Sequence, residues 1–272
     1  MTAASLITLL DTRMTRPVSY GWFHLMFAAI IAALSVLLWL KGRRCSKKAE
    51  RRVVFAAWAV MAVLEIYKQV NFTFSVNGEN VEAHYQWYAF PFQMCSMPLY
   101  ILPWIAFFPK GRVRDGCISF MAFFSLFAGL CTYVYPEQVF ISTVGINIQT
   151  MVHHGLQIAM GVFLISCERD KLSLRFFKKG FFVFLVTVAA AALLNEVFCP
   201  LCVPEGETFN MFYISSRFES TLPVLSLLNG KVPSLVQAAA YVVCYTLCAL
   251  LMYLLALLMT RKSRAKKTGG PA

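Results

Sequence analysis

Charge is scarce in this sequence, and acid is the scarcer sign. Of 272 residues 14% are charged, 13 are Asp or Glu and 4 are His, while 59% are hydrophobic. A water-soluble domain of this length needs far more polar surface, so the composition excludes one and points to an integral membrane protein. Internal repeats and long low-complexity linkers are also lacking. The first residues, "MTAASLITLLDTRMTRP", have neither the apolar core nor the small-residue cleavage site of a signal peptide, and suit a short helix lying on the membrane surface. The apolar segments contain no HxxxH, no HxxE and no pair of CxxC motifs. Neither a metal site nor a cofactor is therefore expected.

What the chain does have is apolar length. Seven segments approach the ~20 residues that cross a hydrocarbon core, at 21–40, 53–72, 87–108, 116–135, 148–166, 180–198 and 233–259. They predict an all-α polytopic membrane protein, a seven-helix bundle forming one domain over 1–272. The 25 Lys and Arg crowd into alternate connections: "KGRRCSKKAERR" (41–52), "KGRVR" (110–114), "ERDKLSLRFFKK" (168–179) and the tail "RKSRAKK" (261–267). The intervening connections hold few. This positive-inside pattern predicts an N-terminus outside and a C-terminus in the cytoplasm, in a cell membrane. It accounts for the basic excess without nucleic acid and makes membrane lipids the expected partners, with anionic headgroups at the basic loops.

The nine cysteines form no framework. Cys199-Pro-Leu-Cys202, at the outer end of the sixth segment, reads best as a local disulfide staple, ahead of a metal half-site or a redox pair.

Topology turns position into depth. Cys95 lies roughly 12 Å inside the third segment, and His153 and His154 lie roughly 9–11 Å inside the fifth. Glu65 and Lys68 share that layer from the second segment, Asn195 and Glu196 from the sixth, and His24 from the first. The inner halves carry little beyond aromatic and aliphatic residues. Strongly polar groups in a span cost several kcal/mol unless they meet partners or line water, so a common depth predicts one shared cavity in the outer half. Gln149, His153 and Gln157 fall on one helical face, and Glu65 can pair with Lys68 beside Gln69. Pro91, Pro98 and Pro103 predict a kinked or broken third span around Cys95.

Three kinds of chemistry suit such a layer. Cys95 can act as a nucleophile with His153 or His154 as base, forming an acyl-cysteine from a lipid ester, with Gln93 and Asn195 as oxyanion donors or orienters. A metal site is disfavoured because adjacent histidines on a helix diverge by about 100°. A transporter or small-molecule-binding protein can use the same polar groups without covalent chemistry.

Certain short motifs add to this reading. Pro91-Phe92-Gln93-Met94-Cys95-Ser96, Tyr135-Pro136 and His153-His154-Gly155 are matched in order, with Asn195 and the "FNMFYI" stretch around Asn210 ahead of Pro223. In these the chain resembles the YwaF-type family of integral membrane proteins, whose eukaryotic relatives include a transmembrane acyltransferase of ether phospholipids. The resemblance implies a phospholipid acyltransferase with Cys95 as acyl carrier and the His154 position as base, the doubled histidine leaving His153 open for that role. Gln93 stands where many relatives have histidine.

Overall fold

A computed structural model describes residues 2–137 and 139–268, the side chains of 261–268 excepted, so the expected basic tail lies outside the described side chains. Helix dominates. Element α1 (Ala3–Leu10) is short, with no buried residue. It is followed by α2 (Trp22–Gly42) and α3 (Lys47–Asn71). A two-stranded hairpin, β1 (Phe74–Asn77) and β2 (Asn80–Ala83), turns at Gly78, whose φ of 64° suits glycine. Next come α4 (Met97–Phe107), α5 (Arg112–Val134), α6 (Val144–Cys167), α7 (Leu174–Cys202) and α8 (Ser234–Thr268).

Among the described residues six helices, α2, α3, α5, α6, α7 and α8, are long and apolar enough to cross a membrane. The chain is thus an integral, multi-pass membrane protein. The third expected span, 87–108, differs from a spanning helix: its apolar helix runs only over Met94–Phe107. That is about 21 Å, short of a ~30 Å hydrocarbon core. Pro91 is the physical cause. It drives the preceding residue out of the helical region, and Phe90 accordingly has φ −49° and ψ 132°. Gln93 is extended as well, and a tight turn over Met94–Ser96 then starts the helix. Pro103, inside α4, cannot donate to the carbonyl of Leu99, four residues back. The Trp58 indole of α3 donates to that carbonyl instead, at 3.0 Å.

Two helices form the centre. In α6 72% of the apolar window is buried and in α5 61%, against 17–28% in the other four spanning helices. α5 packs on α6 and α7, while α2 and α3 flank α6. A Cβ on Gly180 of α7 would sit 2.8 Å from the backbone nitrogen of Phe120, so only glycine permits that approach of α7 to α5. Both helices contain a widened π-helical turn, over Phe120–Ser125 in α5 and Leu194–Phe198 in α7. The π-turn of α5 stacks Phe120 on Phe124, and Phe124 on Phe177 and Phe184 of α7.

The two ends of the bundle differ. At one end α1 is tied down by Tyr67 and Asn71, which donate to the Leu10 carbonyl at 2.7 and 3.4 Å, and Thr143 donates to Asp11 at 3.0 Å. At the other end sits a charge network, where hydropathy alone predicts little beyond aromatic and aliphatic residues. Arg114, 3% exposed, donates to the Glu50 carboxylate at 2.7 Å and to the Ile105 carbonyl at 3.0 Å. Lys47 pairs with Glu50 at 2.7 Å and also with Glu168, while Lys171 and Lys179 pair with Asp115 at 2.9 and 2.6 Å. The reason is that helix begins earlier than hydrophobicity does. Ser46 caps α3 by accepting from the Ala49 amide, which brings Glu50 into the first helical turn, where the dipole favours acid.

Candidate functional site

The broken third segment carries the site. Because the chain is extended through Gln93 and tightly wound over Met94–Ser96, the Cys95 carbonyl faces the central helix α6 and is held there. His153 Nε2 lies 2.9 Å from that carbonyl oxygen, and Gln157 Nε2 donates to it at 2.7 Å. The spacing of four places both side chains on one face of α6, and both are at most 2% exposed. A carbonyl only accepts, so His153 carries its proton on Nε2 and Nδ1 is left with a lone pair. That Nδ1 is buried and has no hydrogen-bond partner among the described residues. His154 has a different partner, with Nδ1 2.8 Å from the Thr150 carbonyl one turn back. By the same argument His154 Nδ1 bears the proton and Nε2 the lone pair.

Neither histidine is hydrogen-bonded to the Cys95 thiol. The structure thus brings His153, Gln157 and Cys95 together through the Cys95 peptide rather than its sulfur. Gln149, one turn before His153, is 5% exposed and meets only the Thr150 hydroxyl, at 3.5 Å.

Glu65 and Lys68 form the ion pair expected of their spacing, at 2.8 Å, and Gln69 donates to Glu65 at 2.6 Å. Both charges lie within electrostatic reach of the Cys95 thiol. Gln69 also donates to the Ala89 carbonyl at 3.0 Å and accepts from the Tyr85 hydroxyl at 2.8 Å. Burial, with the Glu65 charge second, pushes the Tyr85 phenol up to about 12, so it stays a donor at physiological pH. On the outer side of this cluster a groove of about 480 Å³ runs between α3 and α4. Its walls are mainly apolar, including Trp58, Ile66, Val70, Leu99 and Tyr100, with Glu65 and Gln69 among its lining residues. Ile66 is 65% exposed, as a lipid-facing residue is.

Gln93 and Asn195 have a different occupation from that of free oxyanion donors. Asn195, fully buried, donates to the Met211 carbonyl at 2.9 Å and accepts from the Met211 amide at 2.7 Å. Gln93 donates to the Asn210 carbonyl at 2.8 Å and accepts from the Phe212 amide at 2.9 Å. Asn210 in turn accepts from the Ser215 amide at 3.0 Å and donates to the Glu219 carbonyl at 3.3 Å. Two amide side chains, Asn195 and Gln93, thus clamp the long connection between α7 and α8 into the bundle, and Asn210 braces that connection internally. Phe209, Met211 and Phe212 of that connection are fully buried, and Phe212 stacks on Phe92 at 6.0 Å. Phe212 and Tyr213 hold left-handed backbone, with φ of 57° and 58°, a strain the clamp must offset. We expect Asn195→Leu to destabilise the protein by about 2–4 kcal/mol, because it strands a buried amide and a buried carbonyl. Thermal unfolding in detergent reads this, and an unchanged midpoint would sink the clamp.

Other expected members lie apart. His24 is buried among Tyr20, Tyr133 and Phe140, and its Nδ1 accepts from the Tyr20 amide at 3.1 Å. Glu196 accepts from Ser216 near the C-terminal end of α7. The cysteine staple is not formed. Cys199 and Cys202 are free thiols on one helical turn, the first buried and the second exposed. Among the described residues no three His, Cys, Asp or Glu side chains converge in a way that holds a metal.

No curated protein and no solved structure matches the chain. A family match, however, covers residues 19–260, from the start of α2 to the last described side chain of α8, and takes in the whole Cys95 site. The chain belongs to the TMEM164 family.

Proposed function

We propose that this protein is a membrane-embedded acyltransferase that moves fatty acyl groups between lipids through a thioester on Cys95. The observation that carries this reading is the grip of His153 and Gln157 on the Cys95 peptide, at 2.9 and 2.7 Å. Two buried polar side chains of the central helix fix one backbone carbonyl, and with it the position of a single cysteine at the start of a helix. The dipole at that end favours negative charge, which a thiolate and a tetrahedral oxyanion both carry. The groove beside Glu65 supplies an apolar surface of a size suited to an acyl chain, reached sideways from the bilayer.

In the proposed reaction His154 Nε2 takes the thiol proton and Sγ attacks the donor ester carbonyl. The C–S bond forms, the ester C–O bond breaks, and the departing alkoxide takes the proton from the imidazolium. The acceptor hydroxyl then gives its proton to His154, its oxygen attacks the thioester, and the C–S bond breaks to restore the thiol. The Thr150 carbonyl keeps His154 in the tautomer this needs. His153, Gln157, Gln93 and Asn195 are positioning residues.

The test is the intact mass of the purified protein after incubation with phospholipid. A fatty-acyl increment released by hydroxylamine supports a thioester. No increment with any lipid, from protein that stays folded, would favour a transporter or lipid-binding protein that uses the pocket without covalent chemistry.

The proposal includes seven crossings with the N-terminus outside. The stretch from Ala89, bonded to Gln69 near the end of α3, to Arg114, bonded to Glu50 near its start, runs back along the length of α3. It therefore completes a crossing despite the short helix. Anionic lipid headgroups meet the basic loops on the cytoplasmic side. In intact cells a membrane-impermeant maleimide is expected to label exposed Cys202 and to reach Cys45 only after permeabilisation. Labelling in the reverse order would invert the orientation.

A further inference from the structure

The pocket at the basic end of the bundle takes no part in the chemistry above. It has a volume of about 250 Å³ and is lined by Lys47, Lys48, Arg51, Lys110 and Arg114. We propose that it is a binding site for the phosphate group of an anionic ligand, supplied by a membrane lipid headgroup.

All of the lining residues are cations. Among the described residues only Glu50 and Glu168 pair with them, through Arg114 and Lys47, so three of the five positive charges have no carboxylate there. Lys48 and Lys110 are exposed and make no ion pair or hydrogen bond among the described residues. Arg51 gives one N–H to the Phe108 carbonyl, at 2.7 Å, which fixes the guanidinium and leaves the rest of its donor fork open. Arg114 is anchored from behind by Glu50 and the Ile105 carbonyl. Two guanidinium groups are thus held rigidly while two ammonium groups stay free to close on a ligand. Helix geometry adds to the field, because α3 starts at Lys47 and α5 at Arg112 on this same end. The residue before α5, Gly111, has no side chain to cap its first amides. Packing five like charges around one pocket is repulsive, and an oxyanion with several acceptor oxygens relieves that repulsion.

The surroundings favour a lipid over a soluble phosphate. The Phe108 carbonyl that holds Arg51 belongs to an exposed aromatic group. Trp104 stacks on Phe108 at 4.1 Å, and Phe107 meets Phe55 at 5.5 Å. Aromatic side chains exposed beside cations mark the headgroup level of a bilayer. The site is also remote from Cys95. Lys47 and Glu65 are 18 residues apart on one helix, about 27 Å, so the proposal stands independently of acyl transfer.

Native mass spectrometry of the full-length protein in detergent micelles tests it, with phosphatidic acid and phosphatidylcholine as paired probes. Phosphatidic acid is expected to bind in preference, and Lys48→Glu/Lys110→Glu to weaken it by about tenfold or more. Neither lysine makes an ion pair or hydrogen bond among the described residues and both are exposed, so the variant folds. Arg43→Glu/Arg44→Glu, in the α2–α3 connection but outside the pocket, keeps the binding, and so does Cys95→Ser. Equal loss in the two charge-reversal variants, or no preference between the lipids, overturns the site in favour of diffuse attraction. Competition by millimolar inorganic phosphate separates the sources. Failure to displace the lipid supports the headgroup, while full displacement shows that a soluble phosphate suffices and overturns the lipid assignment.

Discussion

Cys95→Ser is expected to leave a folded protein that forms no acyl adduct and transfers acyl groups at least about 10⁴-fold more slowly. The thiol makes no hydrogen bond to another element, and oxygen is close in size to sulfur, so the packing survives. The chemistry does not, since an alcohol is a far weaker nucleophile near neutral pH and a poorer leaving group in the second half of the reaction. The histidines then separate by role. Loss of a general base costs about 10²–10⁴-fold, which His154→Ala should show, with partial rescue by added imidazole. His153→Gln should retain most activity, because a glutamine amide can still donate to the Cys95 carbonyl. A His153→Gln loss as deep as that of Cys95→Ser would transfer the base to His153, whose Nδ1 is buried without a partner. Initial rates with a defined donor and acceptor pair settle the matter.

The second large effect lies at the opposite end and concerns stability. Arg114→Ala removes the guanidinium that bonds Glu50 and the Ile105 carbonyl, leaving a fully buried carboxylate with Lys47 alone. Breaking a buried pair from one side costs about 3–5 kcal/mol, and the remaining lysine puts this case near 3. Removing both partners should be milder. Glu50→Gln/Arg114→Met is expected to recover more than half of the loss, because no unpaired charge stays buried. Equilibrium unfolding in mixed micelles measures both. A cost below about 1 kcal/mol for Arg114→Ala would mean that water reaches the network and screens it.

The sequence made the membrane character plain, and it placed the break at Cys95, because three prolines leave few alternatives. It also made the Glu65–Lys68 pair readable, since residues three apart on a helix adjoin. What it concealed has physical causes. The extended run around Gln93 is apolar and looks like the helix that follows, so hydrophobic length overstated the third span. Glu50 and Glu168 each sit inside a basic run and Asp115 directly follows one, where composition reads as loop; helix capping at Ser46 draws Glu50 into the core instead. The acids inside the basic runs were the available signal. The amide clamp was beyond any local reading, since Gln93 and its partners Asn210 and Phe212 are far apart in the chain. Gln93 and Asn195 read from the sequence as oxyanion donors or orienters and Asn210 as part of the FNMFYI stretch, none of them as a ligand of a backbone segment.

That clamped segment bears on the fate of a thioester. An acyl-cysteine open to bulk water hydrolyses, and an enzyme that lost its acyl group this way would be a lipase. Here Phe209 and Phe212 are fully buried and pack on Phe90 and Phe92, just before Cys95 in the chain. If the proposed acyl transfer holds, such an apolar cover would admit a lipid hydroxyl from the bilayer side more readily than water. The amides that pin the cover would then decide which product forms, and loosening them should release free fatty acid.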